Sequence, residues 1–167
     1  LQEQGDTLRV FSSSPRRIYN LEPLLKKTFP QSLSKIEFHS VRGNILTRVR
    51  KLIEDPNMDG LVVAKAALDR LLTVDGEEFD DGKTQLMGYI EDCLFQVLPL
   101  SENPTAAAQG ALAIEIKKDR QDLRDLLNQI HCQKTWDEAS QERQVLKSHG
   151  GGCHQKIGVS VQKPDYG

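Results

Sequence analysis

Arg9-Val10-Phe11-Ser12-Ser13-Ser14-Pro15-Arg16-Arg17 is the stretch whose reading decides the fold. Residues 8–12 read as a buried strand that stops at hydroxyls and turns straight into a helix. Ser14 stands where an N-cap belongs, and Pro15 takes the first helical position, where a missing N–H costs nothing. Free backbone N–H groups and the positive end of a helix dipole then face outward beside three serine hydroxyls and two guanidinium groups. That combination accepts carboxylate or phosphate. Taken by itself, the stretch is equally readable as an ordinary capped helix with two solvated arginines.

Downstream, residues 15–28 are predicted helical, with Ile18, Leu21, Leu24 and Leu25 on one face. Residues 35–39 alternate as a short strand, and Ser40-Val41-Arg42-Gly43-Asn44 reads as a turn. Asn44 caps a helix over 45–54 that turns Ile45, Val49, Leu52 and Ile53 inward and leaves Arg50 on a solvated face. The continuous apolar run Gly60-Leu61-Val62-Val63-Ala64 reads as a strand covered on both faces, followed by a short helix over 65–72. The order β-α-β-α-β-α implies parallel strands joined by right-handed crossovers, with ligands gathering beyond the carboxyl ends of the strands. Three polar turns fall on that edge: Ser12 to Arg17, Ser40 to Asn44, and Lys65 with Arg70 just after the third strand. Arg42 beside Gly43 is the more functional-looking arginine, because glycine permits close approach; Arg70 reads equally as half of a local ion pair.

Residues 73–88 are acidic and turn-rich and read as an exposed loop. Residues 93–98 and 111–116 read as further strands, separated by the small-residue segment that contains Gln109. Helices are expected over 119–130, with a Leu123/Leu126/Leu127/Ile130 core stripe, and over 135–147, which carries Trp136. A glycine-rich loop with Cys153 comes next, and residues 157–161 read as a last short strand with nothing after it to pair with. That unfinished end suggests a chain that works with, or is cut from, something larger.

Bulk properties narrow the function classes. Residues 1–70 hold 12 Lys/Arg against 8 Asp/Glu, and residues 71–167 hold 10 against 16, so the net charge of -2 hides a basic N-terminal half. Arginines clustered in loops favour a small polyanion over a nucleic-acid backbone, and 5% aromatic residues offer few stacking platforms. No apolar run approaches the roughly 20 residues of a membrane span. Cys93, Cys132 and Cys153 have no framework spacing, which favours a reducing cytoplasm. His131-Cys132 and His149, Cys153 and His154 are zinc-ligand types. Adjacent His–Cys pairs seldom both turn inward and there is no CxxC, so no metal is expected. His39 at a strand end reads as a structural histidine.

Four segments resemble the porphobilinogen deaminase (hydroxymethylbilane synthase) family, in that family's order: Phe11-Ser-Ser-Ser-Pro-Arg-Arg17, Val41-Arg-Gly-Asn-Ile-Leu-Thr-Arg-Val-Arg-Lys-Leu52, Ala108-Gln-Gly-Ala-Leu-Ala-Ile-Glu115 and Gly151-Gly-Cys-His-Gln-Lys-Ile-Gly-Val159. Ala64-Lys-Ala-Ala-Leu-Asp-Arg-Leu71 is a weaker fifth. The resemblance implies an α/β fold with a mainly parallel sheet flanked by helices, similar to a lobe of the type II periplasmic-binding-protein-like fold. It also implies three parts: residues 1–107 as the central domain, 108–148 as a return strand and helices of the first-domain lobe, and 149–167 as the cysteine loop and the start of a third domain. The implied activity belongs to tetrapyrrole (heme, porphyrin) biosynthesis: a transferase polymerises porphobilinogen to hydroxymethylbilane, through an azafulvene-like cation, on a dipyrromethane cofactor.

Residue by residue, the resemblance makes Cys153 the cofactor attachment site. It places Ser12, Ser14, Arg16, Arg17, Arg42 and Gly43 around the cofactor, and Arg48, Arg70 and Gln109 toward substrate. The expected partners are porphobilinogen and its linear oligomers, with no nucleic acid and no membrane. The family's catalytic aspartate has no match here, so a missing N-terminal domain or a partner chain would supply it. Phe11 and Ala67 stand where the family commonly has Gly, and Lys156 where it has Pro. The alternative is a non-catalytic module that binds a small polycarboxylate or phosphate. Arg16 and Arg17 are expected to be exposed, so that replacing either by alanine costs under about 1 kcal/mol.

Overall fold

The computed structural model describes residues 6–29, 33–151 and 156–161. The chain divides into two compact units, Leu1–Asn103 and Pro104–Gly167.

The first unit is α/β. Strand β1 (Asp6–Phe11) leads through helix α1 (Pro15–Thr28) to β2 (Leu33–His39), then through α2 (Ile45–Glu54) to β3 (Gly60–Leu61) and on to α3 (Lys65–Thr73). The sheet order is β2-β1-β3 and every pairing is parallel, with Val10 opposite Phe38 on one side and Gly60 on the other. With right-handed crossovers, one connection running out to β2 and the next back past β1 places α1 and α2 on opposite faces. The core results from that sandwich: Val10 and Phe11 of β1, Leu21 and Leu25 of α1, and Val49 of α2 are buried.

Local chemistry starts both helices where it was expected to. The Ser14 hydroxyl accepts from Arg17 N at 3.4 Å, and Asn44 Oδ1 accepts from Thr47 N at 2.8 Å. Ile53, expected inward, is 49% exposed at the end of α2. The third strand is far shorter than the apolar run 60–64 suggested, and it is only half-buried. It starts at Gly60 as expected and stops early because its partner β1 ends at Phe11, the last backbone bond between them running from Val62 N to Phe11 O at 3.0 Å.

Further along, five expectations fail. Residues 77–90 are not loop but helix α4 (Glu77–Ile90). Its first turn carries Glu77, Glu78 and Asp80, which favour a helix N-terminus, and Leu86 is 0% exposed where α4 packs against α2 and α3. Residues 93–98 and 111–116 form no strand, and Leu94, at 101% exposure, stands entirely in solvent. In the second unit, helix α5 (Gln121–Leu127) and the 3₁₀ turn Asn128–Ile130 leave Leu126 and Ile130 exposed, so the leucine stripe is not a core. Helix α6 (Gln133–Ser148) matches its expected range, with Trp136 exposed beside His131. Residues 157–161 form no strand, yet they do find a partner: Val159 N donates to Thr105 O at 2.8 Å.

Candidate functional site

Because all three strands run parallel, the turns that follow β1, β2 and β3 meet at one edge of the sheet and border the crevice beyond its carboxyl ends. Ser12 lies there, buried, its N–H continuing the ladder to His39 O at 2.9 Å. Ser14 caps α1 beside it. Arg17, one turn into α1, reaches across the crevice and donates from Nη1 to the carbonyl of Val62, just past β3, at 3.3 Å.

The second turn approaches from the other side. Gly43 holds φ +121°, and a Cβ there would lie 2.7 Å from Thr47 Cγ2, so the turn is built for glycine. The Gly43 carbonyl accepts from Arg48 Nε at 2.7 Å, and the Arg42 carbonyl accepts from Lys51 Nζ at 3.1 Å. The backbone of this turn therefore aims the guanidinium of Arg48, while the Arg42 side chain stays exposed.

Ser13, the middle hydroxyl, is the residue that sequence reasoning passed over. Its Oγ accepts from Val41 N at 2.8 Å, donates to Val41 O at 2.7 Å, and lies 3.0 Å from Ser40 Oγ. One side chain thus bolts the loop after β1 to the loop after β2. The only hint in the sequence is a third serine between two others, and its partners lie 27 and 28 residues away.

These links concentrate positive charge. Arg16 is only 7% exposed, against the expectation that it is a surface residue, and burial followed by the charge of Arg17 holds it below the usual guanidinium range. Arg17 is lowered likewise, by burial first and then by the charge of Arg48. Among the described residues, no carboxylate forms an ion pair with Arg17, Arg42 or Arg48. Other cations nearby are spoken for: Lys65 pairs with Asp69 at 2.6 Å and Arg50 with Glu54 at 3.7 Å. Arg70 is exposed on α3, and no described contact joins it to Arg17 or Arg48. A cavity of about 340 Å³ opens beside the last turn of α2, lined by Phe11, Lys51, Glu54, Asp55 and Pro56 and by none of these arginines.

Of the remaining site candidates, Gln109 lies in the second unit, in a turn closed by Gln109 N donating to Ala106 O at 2.9 Å. Cys153 and His154 lie outside the described residues. No described group of His, Cys, Asp and Glu gathers as metal ligands would, and no described helix is long and apolar enough to cross a membrane.

Comparison with known proteins adds a family. Residues 1–125 match the family model described as porphobilinogen deaminase, dipyromethane cofactor binding domain. The chain is 37% identical to the porphobilinogen deaminase of Exiguobacterium sibiricum over 123 residues, which are 74% of this chain and 34% of that protein. It is 31% identical to that of Dictyostelium discoideum over 160 residues, 95% of this chain and 42% of that protein. It is 37% identical to the probable porphobilinogen deaminase of Archaeoglobus fulgidus over 162 residues, 97% of this chain and 46% of that protein. The chain thus spans between about a third and just under half of the length of these curated relatives.

Proposed function

The chain belongs to the porphobilinogen deaminase family, and from that premise we propose that its first unit binds the carboxylates of porphobilinogen and of the pyrrole chain built from it. The observation that carries the reading is the grouping of Arg17 with Arg48. Burial first, and then the charge of Arg48, holds the Arg17 guanidinium below its usual range, and no carboxylate of the described residues pairs with either arginine. Like charges are gathered in this way at a cost, and a polyanionic ligand removes it. Each pyrrole of the substrate carries an acetate and a propionate, so a growing chain presents many carboxylates.

A dipyrromethane fits the same residues, because it too is a polycarboxylate; when bound, it supplies the primer to which pyrrole units are added. We assign Ser12, Ser14, Arg16, Arg17, Arg42 and Gly43 to holding it, Cys153 to its covalent attachment, and Arg48, Arg70 and Gln109 to the substrate side. Ser14 and Gly43 do their part through the backbone: one starts α1 with its N–H groups facing the crevice, the other lets the chain turn tightly enough to direct Arg48. Residues 1–107 are the cofactor-binding part in this reading, 108–148 the part belonging to the first-domain lobe, and 149–167 the cysteine loop with the start of a third domain. The aspartate that would stabilise charge on the pyrrole N–H has no counterpart here, and we assign that step to a segment or partner chain outside this sequence. A reducing cytoplasm suits the free thiols of Cys93 and Cys132.

Titration calorimetry with porphobilinogen tests the reading. The parent chain should bind, and Arg17→Ala should weaken binding by at least about tenfold, the loss of one charge-assisted contact. Equal affinity in parent and variant removes the site. Arg16→Ala is the poorer probe, because its buried side chain also supports the fold. Intact-mass measurement then separates the two functional readings: an adduct on Cys153 favours the synthase, and a plain thiol favours a non-catalytic anion-binding module.

A further inference from the structure

Among the described residues of the second unit, Glu142 on α6 is the one buried side chain, 9% exposed. A carboxylate is among the most expensive groups to bury unless its oxygens are hydrogen-bonded. Both are. Oε2 accepts from Ala108 N at 2.6 Å and Oε1 from Val161 N at 2.9 Å. The first of these donors is itself unusual: Ala108, at φ +62°, is the one described non-glycine residue with left-handed backbone. An L-residue with a Cβ pays for that conformation, and such strain persists where the surroundings over-determine it. A buried charge and a strained residue meet at one contact.

What the contact holds is a turn and a return segment. The turn is closed on itself: Gln109 N donates to Ala106 O at 2.9 Å, Ala106 N to Gln109 Oε1 at 3.3 Å, and Ala111 N to Ala108 O at 3.2 Å. The return segment lies against the residues just before that turn. Val159 N donates to Thr105 O at 2.8 Å, and Thr105 Oγ1 to Val159 O at 3.3 Å. We propose that Glu142 is a positioning residue. Its carboxylate holds Ala108 left-handed and fastens Val161 to the same anchor, so that the turn and the return segment form one platform presenting Gln109. The binding consequence rests on the reading of Gln109 as a substrate contact; the clamp does not.

Glu142→Leu tests it. Leucine matches the size, favours helix and removes both acceptors, so α6 should persist while the clamp is lost. Amide exchange measured by NMR on the full chain should show Ala108 and Val161 exchanging at least about tenfold faster, with the α6 amides as protected as before. Unchanged exchange at both amides overturns the proposal. Porphobilinogen affinity should fall on the order of tenfold, as when a supporting hydrogen-bond partner is removed. Adding Ala108→Gly to Glu142→Leu should restore most of it, because glycine takes the left-handed turn unaided. Loosened amides with parent-like affinity overturn the positioning role. A parent chain that binds no porphobilinogen instead overturns the reading of Gln109, and the exchange result still decides the clamp. If Glu142→Leu does not fold, Glu142→Gln, which keeps one acceptor oxygen, should speed exchange at one of the two amides, and unchanged exchange at both again overturns the proposal.

Discussion

Residues 6–73 and residues 91–117 carry apolar stretches of similar strength, yet the first become a sheet wrapped by helices and the second stay irregular. Val10 and Phe11 are buried because β1 has a strand on each side and a helix on each face. Leu94, Phe95, Val97, Leu112 and Ile114 stand exposed in segments that no described strand pairs with. A helix satisfies its own backbone, whereas a strand is a property of two segments at once. Alternation in a sequence therefore announces a wish to pair and says nothing about whether the partner is present.

The comparison can be pressed hardest at α1. Leu21→Ala should cost about 2–5 kcal/mol in urea denaturation, the usual loss for a buried leucine; a cost under about 1 kcal/mol would mean that the sheet region is no better packed than residues 91–117. Next comes the bolt between the two loops. Ser13→Ala leaves the backbone groups of buried Val41 without a partner and should cost about 1–3 kcal/mol. Ser13→Thr, which keeps the hydroxyl, should recover part of that. A smaller effect belongs to Glu37 on β2, whose carboxyl is held below the usual glutamate range, first by the hydrogen bond from Lys35. A depressed folded pKa contributes stability that is complete above the unfolded value of about 4.3 and is lost as pH falls through the folded value. Parent and Glu37→Gln stabilities should therefore converge in acid, and a gap that widens there would reverse the assignment. Smallest of all, Leu94→Lys should change stability by no more than about 0.5 kcal/mol. A large loss would show that the apolar segment packs after all.

These contrasts also explain what the sequence made legible. The strand-to-helix turns at Ser14-Pro15 and Asn44 were readable because a cap is decided by neighbours three residues apart. The parallel order came from counting alternating elements. Helix α4 was missed because Asp, Glu and Gly look like loop by composition, although the acids of its first turn and the burial-ready Leu86 were present in the right places. The arginine edge was visible as a set of cations in turns, but its wiring was not. That Arg17 would reach Val62 O, that Arg48 would be aimed by Gly43 O, or that Ser13 would join loops separated by 27 residues depends on how the sheet brings distant turns together. For the same reason Arg16 was mistaken for a surface residue: burial of a guanidinium is set by what folds over it.

One small residue carries a disproportionate burden in the second unit. Pro104 O lies 2.5 Å from where a Cβ on Gly158 would sit, so even a single added carbon drives the segment off its seat. Every substitution at this position enlarges it, and each therefore acts as a wedge at the seam that Thr105 and Val159 close. A saturation scan should find position 158 intolerant of all nineteen alternatives, ranked by bulk rather than by polarity.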